Sequence, residues 1–193
     1  MVEREVKAVM ADPAAVRAAL LARGARLTFS GRMTDRRYDR DGVLAAKDEV
    51  LRVRGYLGDD GSRRAVLAWK GPVRIETGYK VRPEHELRSD DAEAADRLVQ
   101  SLGYRPVSVI DRRVEYYDVA GAVARLEWYP RMDALIEVEG TAAAIETAIA
   151  ATGLPRDAFT ADALDAFAAR FEARTGQAAV LEAARLEAGA EVR

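Results

Sequence analysis

An α+β fold is predicted for this chain, a closed β-barrel with a charged lumen and helices packed outside, and three observations predict it. In the first strand, Val2-Glu3-Arg4-Glu5-Val6-Lys7, the charged residues Glu3, Glu5 and Lys7 recur at every second position. In an extended chain such residues project from one side. Charged rows of the same period return in at least six segments. A sheet with one wet face explains one or two such rows, whereas a closed barrel with a charged lumen explains all of them with the alternation intact. Between the strand groups lie Ala- and Leu-rich segments of helical spacing, whose apolar stripes can cover the barrel from outside. With a polar lumen, the core must lie between the outer strand face and these helices, and Val6, Val53, Ile136 and Val138 belong to it.

The elements follow in order. Asp12-Pro13 opens a helix that ends before Gly24, with Pro at the first helical position and Gly past the end as those sites prefer. Asp39, Asp41 and Gly42 read as a turn after Tyr38. Leu51-Arg52-Val53-Arg54 then puts two guanidinium groups on one strand face. Gly58-Asp59-Asp60-Gly61-Ser62 reads as a hairpin turn, because it lacks the spaced ligands and later glutamate of a calcium loop. The apolar run Val66–Trp69 ends on Lys70, and Gly71-Pro72 stops the strand. Arg82, Glu84 and Glu86 alternate on one face; His85, the only histidine, faces the other way and is left out of the site. Residues from Asp90 to Leu102 repeat apolar side chains at helical spacing before Gly103. Arg112 and Arg113 sit in a strand-like run between Val109 and Tyr116. Leu126-Glu127-Trp128 precedes Ile136-Glu137-Val138-Glu139. Thr141 to Thr152 is helical before Gly153, and Thr160 is expected to cap a fourth helix running through Leu164, Phe167 and Phe171 to Gly176, packed outside like the others. Trp69, Trp128 and Tyr129 are assigned to packing against helices rather than to stacking a base.

Composition limits the function classes. The 193 residues suffice for one substantial core, and 30 basic against 32 acidic residues argue against nonspecific nucleic-acid binding. No apolar run approaches the roughly 20 residues of a membrane span, and the amino terminus enters a charged strand without an apolar leader, so a cytoplasmic protein is expected. The absence of cysteine excludes disulfides and thiolate metal sites and leaves hard, oxygen-ligated metals.

The ordered set Glu3-x-Glu5-x-Lys7, Leu51–Arg54, Trp69–Pro72, Arg82 with Glu84 and Glu86, Arg112-Arg113, and Glu137 with Glu139 resembles the CYTH, or triphosphate tunnel metalloenzyme, family. That family includes class IV adenylate cyclases and thiamine and inorganic triphosphatases. The resemblance covers residues 1–175 and implies one domain there, a closed antiparallel barrel of about eight strands around a tunnel. Residues 176–193 remain as a C-terminal helical tail, which covers a tunnel mouth, pairs with a second copy in a homodimer, or stands free. One departure is visible: Glu127 occupies the position where the family usually has an aspartate ahead of a proline, and the longer carboxylate is expected to move a metal or change its affinity.

By resemblance, the cofactor is Mg²⁺ or Mn²⁺, with Glu3, Glu5, Glu137 and Glu139 as ligands and Glu84 and Glu127 as further candidates. A small-molecule triphosphate carries about four negative charges, and planar guanidinium groups hold its oxygens with a geometry that a lone ammonium lacks. Lys7, Arg52, Arg54, Lys70, Arg82, Arg112 and Arg113 are the candidates for that task. Carboxylates in the same lumen repel phosphate unless a cation stands between them, which is a second, physical reason to expect the metal. Hydrolysis of an inorganic, nucleoside or thiamine triphosphate is the leading expectation, with Lys7 or a metal-activated water as base. A class IV adenylate cyclase ranks second, because no residue set for reading adenine is evident in the sequence. A noncatalytic module that binds a phosphorylated ligand ranks third.

Overall fold

Period-two alternation carried through long antiparallel strands closes a barrel. The computed structural model describes residues 2–188. Its strands are β1 (Val2–Val9), β2 (Arg26–Asp39), β3 (Val50–Gly58), β4 (Arg63–Lys70), β5 (Arg74–Glu76), β6 (Tyr79–Ser89), β7 (Arg105–Val119), β8 (Ala122–Trp128) and β9 (Leu135–Glu139). Neighbours run β1-β9-β8-β7-β2-β3-β4-β6, and β6 pairs back onto β1 to close eight strands, with β5 added beside β6. Every pairing is antiparallel, and the register sets like faces together: Glu3 lies opposite Arg82, Asp35 opposite Arg54, and Arg125 opposite Glu137. The charged rows therefore share one lumen, as the alternation predicted.

The apolar core lies outside that lumen. Helices α1 (Pro13–Ala22) and α3 (Ala142–Thr152) cover Val6, Leu126, Ile136 and Val138 with Val16, Leu20, Ile145 and Ile149. Helix α2 (Ala92–Ser101) covers Val53 and Tyr38 with Val99. Burying each such aliphatic side chain contributes about 1.5–3 kcal/mol, so the drive to fold comes from the outer layer and the lumen is free to be polar. These three helix starts are capped, with Asp12, Asp91 and Thr141 accepting from the amides of Ala15, Ala94 and Ala144 at 3.0, 2.8 and 3.3 Å. The turn after β4 needs its glycine, since a Cβ on Gly71 would meet Pro83 and Trp69 at 2.5 and 2.9 Å.

The fourth helix differs from the expectation in its start. Thr160 does not cap it: the Thr160 backbone exchanges two 2.8 Å hydrogen bonds with Lys7, and its hydroxyl donates to Asp162. Helix α4 (Leu164–Thr175) starts after Ala163 with no side-chain cap. It lies across one end of the barrel, where Leu164 and Phe167 pack with Ile110, Tyr129 and Leu135. The register puts Ile110 and Leu135 on the lumen side, so this end of the tunnel is apolar and α4 closes it.

The following segment is docked at the same end. Val180 pairs with Arg131, and the Asp111 amide donates to Leu181 at 2.7 Å. A last helix, α5 (Ala183–Ala188), begins with the Ala183 amide on the Asp111 carboxylate. The rest of the expected tail, residues 189–193, lies outside the described residues.

Candidate functional site

Closure of the barrel concentrates charge. Strand β1 sends Glu3, Glu5 and Lys7 into the lumen, β2 sends Asp35 and Arg37, β3 Arg52 and Arg54, and β4 Lys70. Strand β6 adds Lys80, Arg82 and Glu84, β7 Arg112, β8 Arg125 and Glu127, and β9 Glu137 and Glu139. Nine cationic side chains thus face seven carboxylates, most of them buried. Isolated charges at such depth carry a desolvation penalty of several kcal/mol each, so the pairing between rows is what makes the lumen tolerable.

The pairs form a connected net. The Lys7 ammonium lies 2.6 Å from Glu5 and 2.7 Å from Glu137, while Lys80 reaches Glu5 at 2.8 Å. Lys70 bridges Glu3 and Glu84 at 2.5 and 3.0 Å. Arg54 forks onto Asp35 with bonds of 2.5 and 2.8 Å, and Arg112 joins Asp35 to Glu127. Arg125 joins Glu127 to Glu137. Burial pushes the Asp35 carboxyl up, but Arg54, Arg112 and Arg52 outweigh it and hold the group well below the carboxylate range. The same contest, won by Arg125 and Arg112, holds Glu127 at about 2. Lys7 is desolvated too, yet Glu137 and Glu5 raise it above its ordinary value and keep it an ammonium. Glu139 behaves in the opposite way: burial, then the charges of Glu3 and Glu137, push it up to about 7.

A cavity of about 220 Å³ opens among these groups, lined by Lys7, Arg37, Arg52, Lys70 and Arg112 and bounded at the closed end by Leu164. The side chains of Arg37, Arg52 and Arg112, which line it, each keep a buried Nε–H without an acceptor. Arg37 also lacks any carboxylate within ion-pair distance among the described residues, and burial lowers its pKa. A buried donor without a partner is costly, and three on one cavity wall ask for the same kind of ligand, an anion with several oxygens.

Of the residues expected at the site, the lumen gathers Glu3, Glu5, Lys7, Arg52, Arg54, Lys70, Arg82, Glu84, Arg112, Glu127, Glu137 and Glu139. Arg113 is a correction. It points outward, half exposed, with its fork on Asp59 of the β3–β4 hairpin at 2.8 and 3.0 Å. Strand alternation admits only one of two adjacent arginines, and Arg112 takes the inner position. Arg82 is inside, but its Nε and one terminal nitrogen are spent on the carbonyls of Gly71 and Asp48 at 2.7 and 3.1 Å, so it holds the turn after β4. No three carboxylates converge as a metal site among the described residues. Glu139 is a lumen carboxyl whose ionisation is disfavoured, first by burial and then by the charges of Glu3 and Glu137.

Four lumen residues escaped the sequence reading: Asp35, Arg37, Lys80 and Arg125. Their signal was the same period of two, in Asp35-x-Arg37, Lys80-x-Arg82 and Arg125-x-Glu127. Of the aromatic assignments, Trp128 meets a helix, with Arg17 of α1 over its ring, whereas Trp69 stacks on His85 of the neighbouring strand at 5.6 Å. Tyr129 packs at the closed end and donates to Glu127.

Comparisons with known proteins agree with this architecture. The PH1819 protein of Pyrococcus horikoshii OT3 superposes with a TM-score of 0.69 at 22% identity, over 83% of this chain and 94% of that one. A Vibrio parahaemolyticus protein provisionally assigned as an adenylate cyclase gives 0.73 at 14% identity, over 86% and 97%. HpAC1 of Hippeastrum, an adenylyl cyclase candidate described as having a dominant triphosphatase activity, gives 0.61 at 18% identity, over 94% and 98%. At these identities the superpositions bear on the fold alone. No curated protein sequence matches the chain. The sequence itself matches the CYTH domain over residues 1–151, the stretch that builds all the strands and the charged lumen, and the chain belongs to that family.

Proposed function

We propose that the tunnel binds a triphosphate and hydrolyses it with a divalent cation. The observation that carries this reading is the set of three orphaned guanidinium N–H groups, from Arg37, Arg52 and Arg112, on one buried cavity wall beside a surplus of cations. A chain of phosphates offers many oxygens at the spacing such groups require, where a single carboxylate offers two. Arg52, Arg54, Arg112 and Lys70 hold the phosphate oxygens. Water attacks the terminal phosphorus, its proton passes to a phosphate oxygen, the bond to the leaving diphosphate breaks, and the guanidinium groups stabilise charge on the transferring group. Lys7, held as an ammonium between Glu5 and Glu137, serves as a fixed positive charge in that step and not as the base.

The acidic side fits a hard cation by donor type and by charge. Glu3, Glu137 and Glu139, with Glu5 beside them, would hold Mg²⁺ or Mn²⁺, and the upward push on Glu139, from burial first and then from the charges of Glu3 and Glu137, is one that a cation would offset. Glu84 shares Lys70 with Glu3 and is the next candidate, whereas Glu127 is committed to Arg125, Arg112 and Tyr129. When bound, the ion supplies neutralisation of phosphate charge and orientation of the attacking water.

The test incubates the protein with tripolyphosphate, ATP and thiamine triphosphate, with Mg²⁺, Mn²⁺ or chelator, and follows phosphate, pyrophosphate and cyclic AMP together. Metal-dependent phosphate release is expected. Cyclic AMP with equal pyrophosphate would assign a class IV adenylate cyclase instead, and silence in all channels with retained triphosphate binding would leave a binding module.

A further inference from the structure

The end of the tunnel away from α4 carries a group of side chains that the phosphate chemistry does not use. Phe29 of β2, Tyr56 of β3 and Tyr116 of β7 stand on the lumen side there, with ring centroids 5.5, 5.8 and 6.2 Å apart and edge-on geometry. All three are partly exposed. Their faces are not packed under a helix. They are covered by Arg64 of β4, an exposed side chain whose guanidinium lies 4.1 Å from the Tyr56 centroid, 4.7 Å from Phe29 and 6.0 Å from Tyr116. The rings also adjoin the phosphate-binding region, because Arg54 lies 6.0 Å from the Tyr56 centroid and Arg125 lies 5.5 Å from that of Tyr116.

We infer that this aromatic group is the subsite for the organic part of the substrate, and that it selects a neutral, flat heterocycle such as a nucleobase. The inference rests on the triphosphate reading above. A base joined to phosphates on Arg54 falls beside the rings, and it can stack between the Tyr56 face and the guanidinium of Arg64, a long exposed side chain able to rise by one ring thickness. Bases stack on both aromatic rings and arginine planes, with about 1–3 kcal/mol per base on the aromatic. The charge around the rings decides the class. Three guanidinium groups, those of Arg54, Arg64 and Arg125, lie within about 6 Å of them, so a cationic organic group such as a thiazolium would take the ring faces only against like charge.

Calorimetric titration with ATP, thiamine triphosphate and tripolyphosphate, in chelator to prevent turnover, tests this on the full chain and on Tyr56→Leu and Arg64→Ala. The native protein is expected to bind ATP about 5–100-fold more tightly than tripolyphosphate, as one stacked base implies, and more tightly than thiamine triphosphate. Each variant should lower ATP affinity toward that of tripolyphosphate and leave tripolyphosphate affinity unchanged, with circular dichroism confirming the fold. If the native protein binds tripolyphosphate but ATP no better, or prefers thiamine triphosphate, this inference is wrong and the triphosphate reading stands. If both variants weaken ATP and tripolyphosphate equally, the rings and Arg64 only brace the barrel end. If tripolyphosphate binds neither in chelator nor with Mg²⁺ present, the triphosphate reading fails and takes this inference with it.

Discussion

Asp35 is the point at which the lumen is easiest to break. Its carboxylate takes the fork of Arg54 at 2.5 and 2.8 Å, a bond from Arg112, and the looser approach of Arg52 at 3.6 Å, and it is almost wholly buried. Asp35→Asn keeps the shape and removes the charge, leaving three buried guanidinium groups without their shared counter-ion. Breaking a buried pair on one side costs about 3–5 kcal/mol. For a chain of this size each kcal/mol moves the melting temperature by about 2–4 °C, so a drop of about 6–20 °C is expected by calorimetry at neutral pH. Tripolyphosphate should raise the variant's melting temperature more than the native protein's, because the anion no longer competes with Asp35 for the same arginines. The native carboxyl sits well below its ordinary 3.8, so its contribution is full above that value and lost as the pH falls toward the folded value. The gap between the two proteins should therefore narrow in acid. A variant melting within about 2 °C of the native protein at neutral pH would show that Asp35 does not hold the arginines together.

Arg37→Met tests the opposite case, a buried cation with no carboxylate of its own. It should stabilise the ligand-free protein by about 1–3 kcal/mol and weaken tripolyphosphate binding about 10–100-fold, read by thermal denaturation and calorimetric titration. Arg113→Ala should cost less than about 1 kcal/mol and leave turnover unchanged, because the residue faces outward in a half-exposed pair with Asp59; a large loss of turnover would return it to the site. Glu139 predicts a pH dependence of the metal-free protein. Its folded pKa of about 7 lies above the ordinary 4.5, so its contribution is full below that lower value and lost as the pH rises through 7. The loss is at most about 3 kcal/mol, and denaturation in chelator should show the decline in the native protein and a flatter profile in Glu139→Gln.

The legible part of this molecule was the part written in period two. Glu3, Glu5 and Lys7, or Arg52 and Arg54, declare a shared face without any knowledge of neighbours, and enough such rows imply closure. The helix limits were equally local, since Asp12, Asp91 and Thr141 cap where they stand and Gly153 follows in the left-handed region at φ 76°. What the sequence concealed depends on pairing across strands. Arg112 and Arg113 are equivalent as letters, and only the register, Met33 opposite Arg112 and Arg32 opposite Arg113, sends one in and the other out. The aromatic group is hidden for the same reason: Phe29, Tyr56 and Tyr116 come from three strands, and nothing along the chain announces that they meet. Thr160 misled because a threonine ahead of an apolar run has two uses, and its backbone was wanted by Lys7 at the end of β1.

The paired state of the lumen bears on how the proposed reaction is prepared. A tunnel with cations alone would bind phosphate more strongly, but the ligand-free barrel would then bury seven like charges, a cost beyond the total stability of a domain. Interleaved carboxylates lower that cost and hold Lys7, Arg52, Arg54, Lys70, Lys80, Arg112 and Arg125 in place before any ligand arrives. A triphosphate that takes over Arg54, Arg112 or Lys70 competes directly with Asp35, Glu127 or Glu3, and of these Glu3 is among the carboxylates proposed to hold the metal. Arrival of the anion thus creates negative charge where a cation is needed, and binding of the cation lowers the repulsion that the anion meets. The two affinities rise together by an equal factor, as linkage requires, and the ion pairs of the empty tunnel are the physical link between them.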